Sequence, residues 1–159
     1  MNPADDHRRN PPADPSPTGE ANAARIRCLL GMLGVDCHTK GLRTLARLLR
    51  DRGVEVIYLG EHNSAATMTN AVVTEDPDVI GLSFSTTTYL HHTGALLEEM
   101  RKAGVADTPV MLGGLIHPED EQELTQMGVA AIFGPGSTTE QIMNFLNGIP
   151  RVAARTGKS

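Results

Sequence analysis

The chain has 159 residues, 40% of them apolar and 21% charged, and a formal charge of -5, which is the profile of one soluble globular domain. Aromatic residues make up 3% with no tryptophan, and with the negative charge this excludes a base-stacking or broad phosphate-binding surface, so no nucleic-acid partner is expected. Two cysteines, Cys28 and Cys37, exclude a disulfide scaffold; no apolar run is long enough for a bilayer and the first residues lack a secretory signal's apolar centre, so a cytoplasmic protein with no membrane partner is expected.

Residues 1–24 are rich in Pro, Asp, Arg and Ala and lack apolar periodicity, which predicts a disordered N-terminal arm. From there two patterns alternate. "RIRCLLG" (Arg25 to Gly31) reads as a buried strand, and Leu42, Leu45, Ala46, Leu48 and Leu49 follow at helical spacing until Gly53. "VEVIYLG" (Val54 to Gly60) is a second strand, followed by a helix from Ser64 to Glu75 with Ser64 as its N-cap. "DVIGLSFS" (Asp78 to Ser85) is a third strand before a helix from Leu90 to Ala103. "PVMLGG" (Pro109 to Gly114) and a helix from Pro118 to Met127 come next, then "AAIFG" (Ala130 to Gly134) and a helix from Thr138 to Asn147. Gly148 and Pro150 stop that helix, leaving residues 149–159 as a flexible tail.

Five strands alternating with five helices predict an α/β fold: a flavodoxin-like (Rossmann-like), doubly wound, five-stranded parallel sheet of order 2-1-3-4-5 over residues 25–148. Ligands of such sheets bind outside the carboxyl ends of the strands, near the switch in strand order. The loops at that edge carry glycines, which let a backbone approach a ligand, and hydroxyls, which suit phosphate and ribose. A signalling receiver shares this fold but needs an Asp ending the third strand, which here ends "LSFS". Neither a G-x-G-x-x-G fingerprint nor a P-loop is present.

The first of these loops, "GVDCHTKG" (Gly34 to Gly41), holds an acid, a thiol and an imidazole. Two residues from Asp36, His38 can donate one ring N–H to the carboxylate and keep its other nitrogen free for a metal. A plain loop histidine bonded to its neighbour is the alternative that these residues leave open. Zinc held by Asp36, Cys37 and His38 is disfavoured, because adjacent side chains rarely converge on one tetrahedral ion.

"DCHTKG" resembles the D-x-H-x-x-G motif of cobalamin-binding domains. "GLSFS" (Gly81 to Ser85) lies where that family has a serine-bearing strand end, "MLGGLI" (Met111 to Ile116) matches its G-G motif, and "GVAAIFGPGS" (Gly128 to Ser137) is similar to the end of the acyl-CoA mutase cobalamin domain. The resemblance implies that the cofactor's own benzimidazole leaves cobalt and that its nucleotide tail threads into the domain. His38 then becomes the lower axial ligand, held by Asp36. Ser83, Gly113 and Gly114 line the tail's slot, Gly41 gives room, and Ser137 stands near the buried base. Cys37, Ser85 and Thr87 count with them as cofactor-binding candidates.

Met32 stands where acyl-CoA mutases often have a Lys, Ser85 where the family has Leu or Thr, and Cys37 makes the loop similar to the glutamate mutase small subunit. The expected function is the cobalamin-binding small subunit of an adenosylcobalamin-dependent carbon-skeleton mutase of acyl-CoA type. Such a subunit is inactive alone and acts under a separate large barrel subunit that carries the substrate site. A glutamate mutase type subunit, and a corrinoid carrier or storage protein without catalysis, are the alternatives. Cys28 reads as core, His91 and His92 as a solvated helix start, and Lys40 as a helix-face residue; Tyr89 and His117 stand near the same edge.

Overall fold

The computed structural model describes residues 25–151. The arm expected over residues 1–24 and the tail beyond residue 151 lie outside the described residues. Ile149, the first residue of the tail expected over 149–159, is buried.

Five parallel strands form one sheet of order β2-β1-β3-β4-β5. They are β1 (Arg27–Leu33), β2 (Glu55–Asn63), β3 (Val79–Phe84), β4 (Val110–Gly114) and β5 (Ala131–Phe133). The helices between and after them are α1 (Lys40–Asp51), α2 (Ala65–Glu75), α3 (Tyr89–Lys102), α4 (Glu121–Met127) and α5 (Thr139–Asn147). The central strands are apolar on both faces because helices cover both. In β1, Cys28, Leu30 and Met32 join one core with Leu42, Ala46 and Leu49 of α1 and Met143 and Leu146 of α5. Leu29 and Leu33 join the other, with Met68 and Val72 of α2, Leu96 and Met100 of α3, and Leu124 of α4. The strand period of two is thus the division of the molecule into two cores.

β1 starts and ends two residues later than the expected Arg25 to Gly31, and two further elements differ from their expected bounds for local reasons. β2 runs on to Asn63 because register shifts between Leu30 and Leu33 bulge the pairing, with Gly60 at φ 72° and His62 at φ 61°. The buried Asn63 amide donates to the carbonyls of Met32 (3.1 Å) and Gly60 (2.9 Å), tying the ends of β1 and β2 together. The helix expected from Pro118 opens with a 3-10 turn, Pro118–Asp120, before α4. Above that turn the buried Tyr89 hydroxyl donates to Asp120 and accepts the His117 N–H at 3.2 Å. Ser64 caps α2 by accepting the Thr67 N–H, and Thr138 forms a capping box with Gln141 at α5. The strand order switches between β1 and β3, which places the loops after these two strands side by side.

Candidate functional site

The loop after β1 starts on a turn that only glycine fits. Gly34 has φ 77°, its N–H donates to the Asn63 carbonyl at 3.0 Å, and a Cβ there would lie 2.5 Å from the His92 ring. Held between β2 and α3, the turn sends Asp36 inward to 4% exposure. Four donors meet its carboxylate. The Ser85 N–H reaches Oδ2 at 2.6 Å, and the Ser85 hydroxyl reaches Oδ1 at 2.5 Å. The His38 N–H and ring Nδ1 lie 3.2 and 3.0 Å from Oδ1. Burial pushes the Asp36 carboxyl up, but the Ser85 hydroxyl and amide and the two His38 donors outweigh it and hold the group at about 2.

An ionised carboxylate only accepts hydrogen bonds, so Nδ1 of a neutral His38 carries the ring proton. Nε2 then keeps its lone pair, and the His38 side chain is 71% exposed. The Ser85 oxygen also lies 2.8 Å from Nδ1, so one hydroxyl touches both members of the pair. The arrangement is an imidazole held through its Nδ1 by Asp36 and Ser85 on a largely exposed side chain. Among the described residues no three His, Cys, Asp or Glu side chains gather to hold a metal ion.

Beside this loop a slot of about 220 Å³ opens between the sheet and the helices α1 and α5. Gly81, Gly113, Gly114 and Gly134 are among the residues lining it, with Gly41 at the start of α1. A Cβ on Gly41 or Gly134 would meet nothing within 4 Å, so these glycines leave open volume. Gly114 answers another need. At φ 100° its Cβ would sit 2.0 Å from the Phe84 carbonyl oxygen, so close approach of β3 and β4 requires glycine.

The sequence candidates fall into two groups. Gly41, Ser83, Gly113, Gly114 and Ser137 line the slot. Asp36, His38 and Ser85 form the hydrogen-bonded cluster at its mouth-side loops, 49 residues apart in sequence between Asp36 and Ser85. Cys37 is an exposed free thiol and Thr87 is exposed; neither lines the slot. Burial pushes the Cys28 thiol up to about 12, which keeps it protonated within the core. His91 is exposed, whereas His92 is half-buried against Gly34. Tyr89 and His117 hold the β4–α4 connection and lie outside the slot. Sequence reasoning missed Leu45, Phe133 and Ile142, which wall the slot and read in the sequence as ordinary core positions.

The B12 binding domain family matches residues 26–143. The pivalyl-CoA mutase small subunit of Xanthobacter autotrophicus is 34% identical over 123 residues, 77% of this chain and 82% of that one. The 2-hydroxyisobutanoyl-CoA mutase small subunit of Aquincola tertiaricarbonis is 32% identical over 130 residues, 82% of this chain and 94% of that one. Among solved structures, a cobalamin-binding protein from Desulfitobacterium hafniense superposes with a TM-score of 0.65 at 20% identity, over 76% of this chain and 59% of that one, which establishes the shared fold.

Proposed function

The chain belongs to the B12 binding domain family, and from that premise we propose that it is the cobalamin-holding small subunit of an acyl-CoA mutase. The observation that carries the reading is the exposed His38 held by the buried Asp36, in a chain whose strand-end loops also border a glycine-rich slot. The residues fit the cofactor. Imidazole is a suitable ligand for cobalt, and a carboxylate behind it fixes the tautomer and raises its basicity. Ser83, Gly113, Gly114 and Ser137 would take the nucleotide tail, with Gly41 leaving room where a side chain would stand.

In this reading the cofactor, in its adenosyl form, supplies radical chemistry through a weak cobalt–carbon bond. The chain's own part is to bind, orient and shield. His38 would hold the cobalt through its ring, Asp36 would keep the Nδ1 proton in place, and the slot would shield the part of the cofactor that enters it from water. The substrate site belongs to a large barrel subunit that closes over the exposed edge, and the small subunit alone is inactive. The relatives named as acyl-CoA mutase small subunits favour this type over the glutamate mutase type that the Cys37 loop suggests. An exposed free thiol at Cys37 favours a reducing compartment, the cytoplasm.

The test is electron paramagnetic resonance of the bound cob(II)alamin form, with histidine nitrogens isotopically labelled. Coupling to cobalt that changes with the label, and is lost in His38→Ala, is expected. Coupling that ignores the label in a demonstrably bound sample would overturn the reading.

A further inference from the structure

His92 does not sit where a solvated helix start would put it. His91 beside it is exposed, but the His92 ring, in the first turn of α3, is half-buried against the Gly34 turn. The edge that meets Gly34 is the Nε2 edge: a Cβ on that glycine would lie 2.5 Å from Nε2 and 2.8 Å from Cε1. The Gly34 N–H ties the same turn to β2 through the Asn63 carbonyl at 3.0 Å. Asp36 follows, and its carboxylate lies 3.0 Å from His38 Nδ1. The chain around the start of α3 therefore grips this loop at two points, with Ser85 at Asp36 and His92 at Gly34.

Three influences keep the His92 ring uncharged. Burial and the neighbouring His91, 5.3 Å away between ring centroids, both lower its affinity for a proton. The positive end of the α3 dipole acts the same way, and no acid stands in that first turn to offset it. From α3 the titratable group acting on it is His91; on the β1–α1 loop it meets Gly34, which carries no charge. A neutral imidazole can keep its proton on Nδ1 and present a bare Nε2, whereas a charged one carries protons on both nitrogens. The second proton falls on the edge packed against Gly34, where a half-buried charge without a partner is costly.

We propose that His92 is a positioning residue for the cobalt-facing loop, a prop whose uncharged ring holds the Gly34 turn and through it the Asp36–His38 pair. Its part in cofactor binding rests on the cobalamin reading above; its support of the turn does not. Protonation withdraws the prop, so acid loosens the loop from α3 while Asp36, held at about 2, stays ionised.

The first measurement is hydrogen exchange at the Gly34 amide of the full chain without cofactor, taken relative to the intrinsic rate at each pH. His92→Ala should lower protection there about tenfold at pH 7. Wild-type protection should fall between pH 7 and pH 5, across and below the ordinary histidine value of 6.5. His92→Phe, which keeps a ring and cannot be charged, should hold it steady. Cobalamin is then titrated by equilibrium dialysis at pH 7. His92→Ala should bind about tenfold more weakly, with reduced coupling of bound cob(II)alamin to labelled histidine nitrogen, and His92→Phe should stay close to wild type. Unchanged Gly34 protection in His92→Ala, or an acid loss that persists in His92→Phe, would overturn the prop. A loosened turn with unaltered cobalamin affinity and coupling would overturn its link to His38. Failure of the wild-type chain to bind cobalamin, with Gly34 behaving as expected, would overturn the cobalamin reading and leave the support of the turn standing.

Discussion

Replacing Ser85 by alanine removes the hydroxyl that touches both Asp36 and His38 and leaves the backbone in place. The Asp36 carboxylate keeps three donors, the Ser85 amide at 2.6 Å and the His38 amide and ring at 3.2 and 3.0 Å. The hydroxyl is the leading influence holding that group down against burial. The group lies at about 2 where an ordinary aspartate sits near 3.8, and a tenfold change in proton affinity is about 1.4 kcal/mol. Loss of one donor in four should remove roughly 1 kcal/mol of folding stability, the size of a typical net hydrogen bond, because three donors remain on the carboxylate.

The pH dependence follows from the sign of the shift. A carboxyl lower in the folded than in the unfolded state stabilises fully above the unfolded value, and that stabilisation fades as pH falls through the folded one. Urea unfolding should therefore show Ser85→Ala less stable by the full amount from pH 5 to pH 7, with a gap that narrows at pH 3 and closes below about 2. Ser85→Thr should restore most of the loss. A gap that is the same at pH 3 and pH 7 would refute the argument, since it would make Ser85 a packing residue.

Gly41→Leu should leave folding stability unchanged or slightly raised, because a Cβ there meets nothing within 4 Å and the residue lies in a helix. The same change should weaken cobalamin binding by about tenfold or more, read by equilibrium dialysis, because the side chain enters the slot. Gly114→Ala should destabilise by ~3 kcal/mol or more in urea, since its Cβ would overlap the Phe84 carbonyl at an unfavourable φ of 100°. Tyr89→Phe should cost about 1–2 kcal/mol in the same assay, by stripping Asp120 and the His117 amide of a buried partner. Hydrogen exchange should show α1 and α5, which flank the slot, opening before α3, which packs into the continuous opposite core.

Sequence alone reveals the strands and helices because both faces of the sheet are covered. Apolar runs such as Leu29 and Leu30 in β1, and the spaced leucines of α1, leave little choice of element. The Asp36–His38 pairing is legible for a different reason: it is local, and two residues of spacing fix its reach. Ser85 is named by the resemblance, but its contact with Asp36 is resolved only in three dimensions. It approaches Asp36 across 49 residues of sequence, and a hydroxyl at a strand end has no periodic signature. The walls of the slot escape for a related reason. Leu45, Phe133 and Ile142 obey the same periodicity as core residues, and nothing in a pattern of apolar positions distinguishes a wall from a filled interior. Likewise the extension of β2 past Gly60 depends on the Asn63 side chain reaching the Met32 carbonyl, a contact between strands.

The slot of about 220 Å³ has a consequence for the life of the chain itself. A dry void of that volume would cost about 5 kcal/mol at ~24 cal/mol per Å³, and an open, wetted one costs less but still leaves its apolar walls short of neighbours. Whatever fills it binds only the folded form, and a ligand at a hundredfold excess over its Kd adds about 2.7 kcal/mol of stability. A difference of one or two kcal/mol is enough to change the abundance of a protein in a cell severalfold. A ligand in the slot should therefore slow proteolysis of the folded chain relative to its empty form.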